Sequence, residues 1–210
     1  TEATKALEMD DALSRAYAVR GLANSARGDL AAANTDLAMA VTVNPDNAET
    51  QYAYAQVLEA QDDKGQAATH YKKAFQLDPT LTAAGVSLGE LLVSQEKHQE
   101  AQQVLTQVIA GKPDSARAHY LLGVVQNNQD QPDTAIGEFA RAAELDPSLA
   151  AAYYWHGKLL LEKKQDVAGA LPLLKKAVEL EGDNVGFLSD YGVALVSAQQ
   201  FGEALTVLSK

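Results

Sequence analysis

The sequence predicts an all-α solenoid of antiparallel helix-turn-helix repeats, and three observations carry that prediction. Prolines fall at 45, 79, 113 and 147, a constant spacing of 34 residues. Each closes a similar phrase: Val43-Asn44-Pro45-Asp46, Leu77-Asp78-Pro79-Thr80, Gly111-Lys112-Pro113-Asp114 and Leu145-Asp146-Pro147-Ser148. Side-chain size is periodic as well. Gly21, Ala55, Gly89 and Gly123 share one place, and Ala33, Ala67, Ala101 and Ala135 a second. Leu37, Tyr71, Leu105 and Phe139 hold a third, and Ala40, Ala74, Val108 and Ala142 a fourth. Finally, each period contains two apolar runs of helical spacing separated by a turn signal.

The elements follow in order. Residues 14–47, 48–81, 82–115 and 116–149 make four full units. A fifth, 150–184, carries Tyr153, Gly157, Ala170, Leu174 and Ala177 in the same places, with one extra residue in the Lys163–Gly169 turn and Gly182 where the proline would be. A sixth, incomplete unit runs from 185 to 210, with Leu188, Tyr191, Gly192 and Ala204. Lys5 to Asp11 echoes Lys73 to Pro79, so residues 1–13 read as the last helix of a preceding repeat. The turn of the first unit is Arg27-Gly28-Asp29, and Pro132 opens a second helix, where no backbone donor is needed. Pro172 is expected in a first helical turn. Helices of about a dozen residues are marginal alone in water, so packing between neighbours must hold them. The whole of 1–210 is expected to form one solenoid domain.

This small–small–large–small–proline pattern over 34 residues resembles the tetratricopeptide repeat family, across essentially the whole chain. The resemblance implies a right-handed superhelix whose concave face is lined by the first helix of each hairpin, and a protein-interaction scaffold without catalysis. Carried over residue by residue, that face includes Arg15, Ala18 and Leu22 in the first unit and Glu49, Tyr52, Gln56 and Glu59 in the second. Val86, Glu90 and Val93 follow in the third, then Arg117, Tyr120, Val124, Asn127 and Asn128 in the fourth. Tyr154, Lys158, Leu161 and Glu162 extend it in the fifth, and Ser189, Val193 and Val196 in the sixth.

Tyr52, Tyr120 and Tyr154 stand at one repeat position and form a candidate aromatic stripe, since tyrosine is rigid, large and amphipathic. The same rings could equally serve to hold adjacent helices together. The candidate partner-binding set is Tyr52, Gln56, Glu90, Arg117, Tyr120, Val124, Asn127, Asn128, Tyr154 and Lys158. Arg117, Asn127, Asn128 and Lys158 make the fourth and fifth units the least acidic stretch, and an extended peptide or helix of some acidic character is expected there. Ala18, Leu22, Ala53 and Ser87 do not supply the Lys, Asn and Arg of the family's chaperone carboxylate clamp, and the family's asparagine ladder is absent.

Chemistry of the chain's own is not indicated. Gly85-Val86-Ser87-Leu88-Gly89 spells the G-x-S-x-G string, which works only between a strand and a helix; here it lies inside a helix, and Gly89 is a repeat glycine. Arg27-Gly28-Asp29 is read as a turn. His70, His98, His119 and His156 lie in different units with no helical pairing, so no metal site is expected, and no nucleotide-binding string or other cofactor motif occurs. Cysteine is absent. The formal charge of −11 repels phosphate backbones, so nucleic acid is not an expected partner. No run approaches the ~18 apolar residues that span a bilayer, so no direct membrane insertion is expected. Composition does not choose between a cytoplasmic and a periplasmic location. The last segment, Phe201 to Leu208, carries no polar cap, so self-association through uncapped ends is a further expectation. The competing functional readings are a self-associating structural repeat protein and a docking module of a larger enzyme.

Overall fold

Turn chemistry sets the architecture. In the computed structural model, which describes residues 2–209 and side chains from Met9 onward, left-handed backbone recurs at Gly28, Asp62, Glu96, Asp130, Gln165 and Gln199. These residues end the first helix of each hairpin. The amide three positions beyond the helix reaches back to an orphan carbonyl, as in Asp29 N to Asn24 O (2.9 Å), Asp63 N to Leu58 O (2.9 Å) and Gln131 N to Gln126 O (2.9 Å). The residue after each left-handed position then starts the next helix. Asp29, Asp63 and Asp166 do so with their carboxylates, which accept from the amides of Ala32, Gln66 and Gly169. The Arg27-Gly28-Asp29 tripeptide is thus a turn and a helix cap.

Twelve helices result among the described residues: α1 Glu2–Ala26, α2 Leu30–Val43, α3 Ala48–Ala60, α4 Lys64–Leu77, α5 Thr82–Ser94, α6 His98–Gly111, α7 Ala116–Asn128, α8 Pro132–Leu145, α9 Ala150–Lys164, α10 Val167–Leu180, α11 Val185–Ser197 and α12 Phe201–Leu208. The fold is an all-α helical repeat. By internal contacts the chain forms two compact units, residues 1–96 and 97–210, divided in the turn of the third expected repeat. In the first, α1 packs on α2, α3 on α4, and α2 and α4 on the helix that follows each. In the second, α7–α8, α9–α10 and α11–α12 are the hairpins, joined through α6–α7, α8–α9 and α10–α11.

Three local details depart from the sequence expectations. Residues 1–13 were expected as a separate helix, but α1 runs unbroken from Glu2 to Ala26. Asp11 stands where the repeats carry proline, so nothing removes a backbone donor or forces a turn there. The extra residue of the fifth hairpin is absorbed by a longer α9 and the left-handed Gln165, and its closing bond, Asp166 N to Leu160 O (3.0 Å), spans six residues where the others span five. Pro172 lies past the first turn of α10, which starts at Val167. The helix continues through it because the ring and the carbonyl it leaves unpaired are on the exposed side.

The periodic columns meet in space. A Cβ built on Gly21 would lie 2.7 Å from Leu37 Cγ, one on Gly123 2.8 Å from Phe139 Cε1, and one on Gly157 3.0 Å from Leu174 Cγ. Leu37, Tyr71, Phe139 and Leu174 are among the largest fully buried side chains. Glycine in these helices therefore buys close approach of the paired helix, offsetting its cost of roughly 1 kcal/mol relative to alanine. Gly137 of α8 is the contrast: it is exposed and a Cβ there meets nothing within 4 Å. Gly137→Ala is expected to stabilise the protein by about 0.5–1 kcal/mol, readable as a higher urea midpoint.

Polar pairs tie individual hairpins. Arg20 donates to both carboxylate oxygens of Asp36, at 2.8 and 2.5 Å, and holds the Asp36 pKa below its ordinary value. Gln51 donates to Pro45 O (2.7 Å) and accepts from His70 Nδ1 (2.6 Å). At the equivalent place His119 donates Nε2–H to Pro113 O (3.1 Å), while its Nδ1 lies 2.6 Å from Glu138 Oε2.

Candidate functional site

The first helix of each hairpin buries one face against its partner helix. Residues spaced i, i+4, i+7 share a helical face, so Tyr154, Lys158 and Leu161 form one stripe. The matching stripes are Ala18, Leu22 and Ser25 on α1, Tyr52, Gln56 and Glu59 on α3, Tyr120, Val124 and Asn127 on α7, and Ser189, Val193 and Val196 on α11. Apolar side chains stay open to solvent on this stripe: Leu22 is 49% exposed, Val193 52% and Val196 47%.

In the first compact unit, the Tyr52 ring is half-buried with its centre 5.6 Å from that of Tyr71, and its hydroxyl accepts from Gln56 Nε2 (3.2 Å). Gln56 and Glu90 are exposed. In the second, the exposed Arg117 guanidinium sits 5.4 Å from the centre of the Tyr120 ring, which leans on Phe139 (5.8 Å) and on Ala142 and Ala143. Val124 packs on Phe139 and Leu159, Asn127 is half-buried and Asn128 exposed. Tyr154 stacks on Phe187 of α11 at 4.4 Å.

Lys158 does not stand free as a cation for an incoming acidic group. Its ammonium donates to Asp190 Oδ2 (2.7 Å) and to Tyr154 Oη (3.1 Å), lies 3.5 Å from Glu162, and sits 5.4 Å from the centre of the Tyr154 ring. Tyr154 also donates to Asp190 (2.7 Å). Burial works against the charge of Lys158, but the hydrogen bonds to Asp190 and Tyr154 outweigh it and hold its pKa above the ordinary value. Burial likewise opposes ionisation of Asp190, and the bonds from Lys158 and Tyr154 bring its pKa below the usual range. Two of the three ammonium donors are thus already engaged, and an acidic partner at Lys158 would have to compete with Asp190 and Glu162 for the charge. Asp190 was missed in the sequence. Its signal is a lone charge at a repeat position otherwise held by Val19, Ala53, Ser87, Leu121 and Trp155.

No group of three or more His, Cys, Asp or Glu that could hold a metal occurs among the described residues, and no described helix is long and apolar enough to cross a membrane. His70 packs edge-on against Tyr54 (4.6 Å between ring centres), and His119 bridges Pro113 and Glu138. Burial lowers the pKa of His70 and of His156 below the ordinary 6.5. The folded state therefore disfavours their protonation, so their contribution is intact above about pH 6.5 and is lost as pH falls below it. Urea midpoints should drop between pH 7.5 and pH 5.5. His156→Leu, matching Leu88 and Leu122 at the same repeat position, should flatten that drop; an unchanged slope would show that other groups cause it.

The tetratricopeptide repeat model matches residues 19–81, 86–150 and 127–184. Human mitochondrial import receptor subunit TOM70 is 26% identical over 153 residues, 70% of this chain and 25% of that protein. Anaphase-promoting complex subunit 3 of Schizosaccharomyces pombe is 28% identical over 107 residues, 51% of this chain and 16% of that protein. The chain thus spans a quarter or less of the length of these relatives. Among solved structures, Pseudomonas aeruginosa pilF superposes with a TM-score of 0.77 at 23% identity, covering 95% of this chain and 89% of its own. YrrB, described as a TPR protein with an unusual peptide-binding site, gives 0.74 at 24% identity, covering 89% and 96%. With the repeat model matched from residue 19 to 184 and its small and large columns meeting in the helix pairs, the chain belongs to the tetratricopeptide repeat family.

Proposed function

We propose that the chain is a protein-interaction scaffold, without catalysis, that holds a peptide or helix of a protein partner on the first-helix face of the second compact unit. The observation that carries this is the uncovered apolar stripe: Val193 and Val196 of α11 remain about half exposed at the repeat positions that Lys158 and Leu161 hold on α9, while the opposite side of α11 is buried. Burying such side chains contributes about 25 cal/mol per Å2 of apolar surface, and the flanking Asn127, Asn128 and Arg117 offer donors to a partner's main chain. TOM70 is named as an import receptor and YrrB as a peptide binder, which agrees with this reading.

The test is affinity capture from source-cell extract with the native chain, Val193→Glu and a control, Thr106→Glu, on an exposed second-helix face. A protein held by the native chain and the control but lost from Val193→Glu supports the surface. Equal capture by all three removes it. A second reading, self-association, is favoured by the exposed Phe201 (57%), Leu205 (70%) and Leu208 (55%) of α12. Recovery of the chain alone, with a concentration-dependent mass by light scattering, would select it.

A further inference from the structure

Between α1 and α3 lies a cleft of about 310 Å3, wholly within the first compact unit and apart from the surface proposed above. It has a clear origin in the repeat register. At the α9–α11 junction the same space is filled by the Tyr154 ring and bridged by Lys158 and Asp190. The residues in those places at α1–α3 are Ala18, Leu22 and Ala53, too small and too apolar to fill or bridge it. The cleft is therefore a junction whose plug is missing.

Its lining says what fits. The base is formed by the buried Ser14, Thr50 and Ala53, with the Ser14 hydroxyl donating to Ala40 O (3.0 Å), and Ala18, Val19 and Leu22 make an apolar wall in which Val19 is 63% and Leu22 49% exposed. The rim carries Asp11 and Glu49 against a single cation, Arg15. Asp11 accepts from Asn44 (2.9 Å), whereas Glu49 and Arg15 make no ion pair or side-chain hydrogen bond among the described residues. α3 and α5 contain no Lys or Arg at all, and residues 1–96 hold 14 Asp and Glu against 7 Lys and Arg. We infer that this cleft docks a peptide segment of a protein partner in which a bulky apolar side chain stands beside a lysine or arginine. The apolar group takes the place that Tyr154 fills at the later junction. The cation meets Glu49 and Asp11, and Arg15 donates to the carbonyls of the peptide main chain.

The test uses the intact chain and three fluorescein-labelled synthetic peptides with Gly-Ser flanks and a core of Lys-Phe-Lys, Glu-Phe-Glu or Lys-Ser-Lys, read by fluorescence anisotropy. The Lys-Phe-Lys peptide should bind at least about tenfold more tightly than either other peptide. Ala18→Tyr, which installs the residue found at the equivalent place in three other hairpins, should abolish binding while the thermal melt is retained. Glu49→Lys should weaken binding about tenfold, and Glu100→Lys, an equal charge change in the first turn of α6, by less than about twofold. Val193→Glu should bind as the native chain does, which separates this site from the second-unit surface. Equal binding of the Lys-Phe-Lys and Glu-Phe-Glu peptides, or equal weakening by Glu49→Lys and Glu100→Lys, would overturn the inference, the latter by reducing it to the attraction of a cation for an acidic protein.

Discussion

Phe139→Ala is expected to cost the second compact unit about 3–5 kcal/mol, the largest effect of any single truncation proposed for this chain. The ring is fully buried, its centre lies 6.2 Å from Trp155 and 5.8 Å from Tyr120, and it backs directly onto Gly123. Removing it takes a large apolar surface out of contact and opens a void that the flanking helices can close only in part. Trp155 is the single tryptophan, so its emission reports this locus. Equilibrium unfolding followed by tryptophan fluorescence should show a much lower midpoint and a red-shifted native spectrum. A loss below about 1 kcal/mol would mean that the hairpin is not held by this ring.

Gly123→Leu tests the other side of the same contact and should destabilise by about 1–3 kcal/mol. The first added carbon alone would sit 2.8 Å from Phe139 Cε1 and 2.9 Å from Cδ1, and the ring cannot retreat between Tyr120 and Trp155. The cause can be isolated. In a Phe139→Ala background the leucine has a void to occupy, so its cost should shrink or reverse, giving a coupling of at least about 1 kcal/mol in a double-mutant cycle. Additive effects would refute direct contact as the reason for glycine here.

The hairpins were legible in the sequence because backbone and packing repeat with it. A proline every 34 residues through the first four units, and a glycine or alanine facing a large side chain sixteen or seventeen positions on, leave nearly the same imprint from unit to unit. Gly28 announced its left-handed turn, but Asp62, Glu96, Asp130, Gln165 and Gln199 adopt the same backbone without a distinctive residue type, so their role showed only in three dimensions. The candidate surface was half legible. Repeat position placed Tyr154 and Lys158 on one stripe, but the sequence could not show that Asp190, from the next hairpin, closes on both of them. Contacts between hairpins depend on how residues at different repeat positions interlock, and a one-dimensional register carries only part of that. The cleft between α1 and α3 was invisible for the same reason: it is the absence of such an interlock, and Ala18, Leu22 and Ala53 look unremarkable one at a time.

The polar ties of the early hairpins bear on how such a chain assembles correctly. Units this alike invite cross-pairing, in which the first helix of one takes up the second helix of another, within a chain or between chains during synthesis. The polar pairs differ from unit to unit, each with one buried member: Asp36 with the exposed Arg20, Gln51 with His70, His119 with Glu138. Were α3 to take α8 as its partner, Gln51 would face Glu138; were α7 to take α4, two histidines would meet. Each donor or acceptor left without its mate costs about 1–3 kcal/mol. These pairs therefore work as address labels, letting each helix recognise its own partner in a chain whose apolar pattern alone would accept any of them.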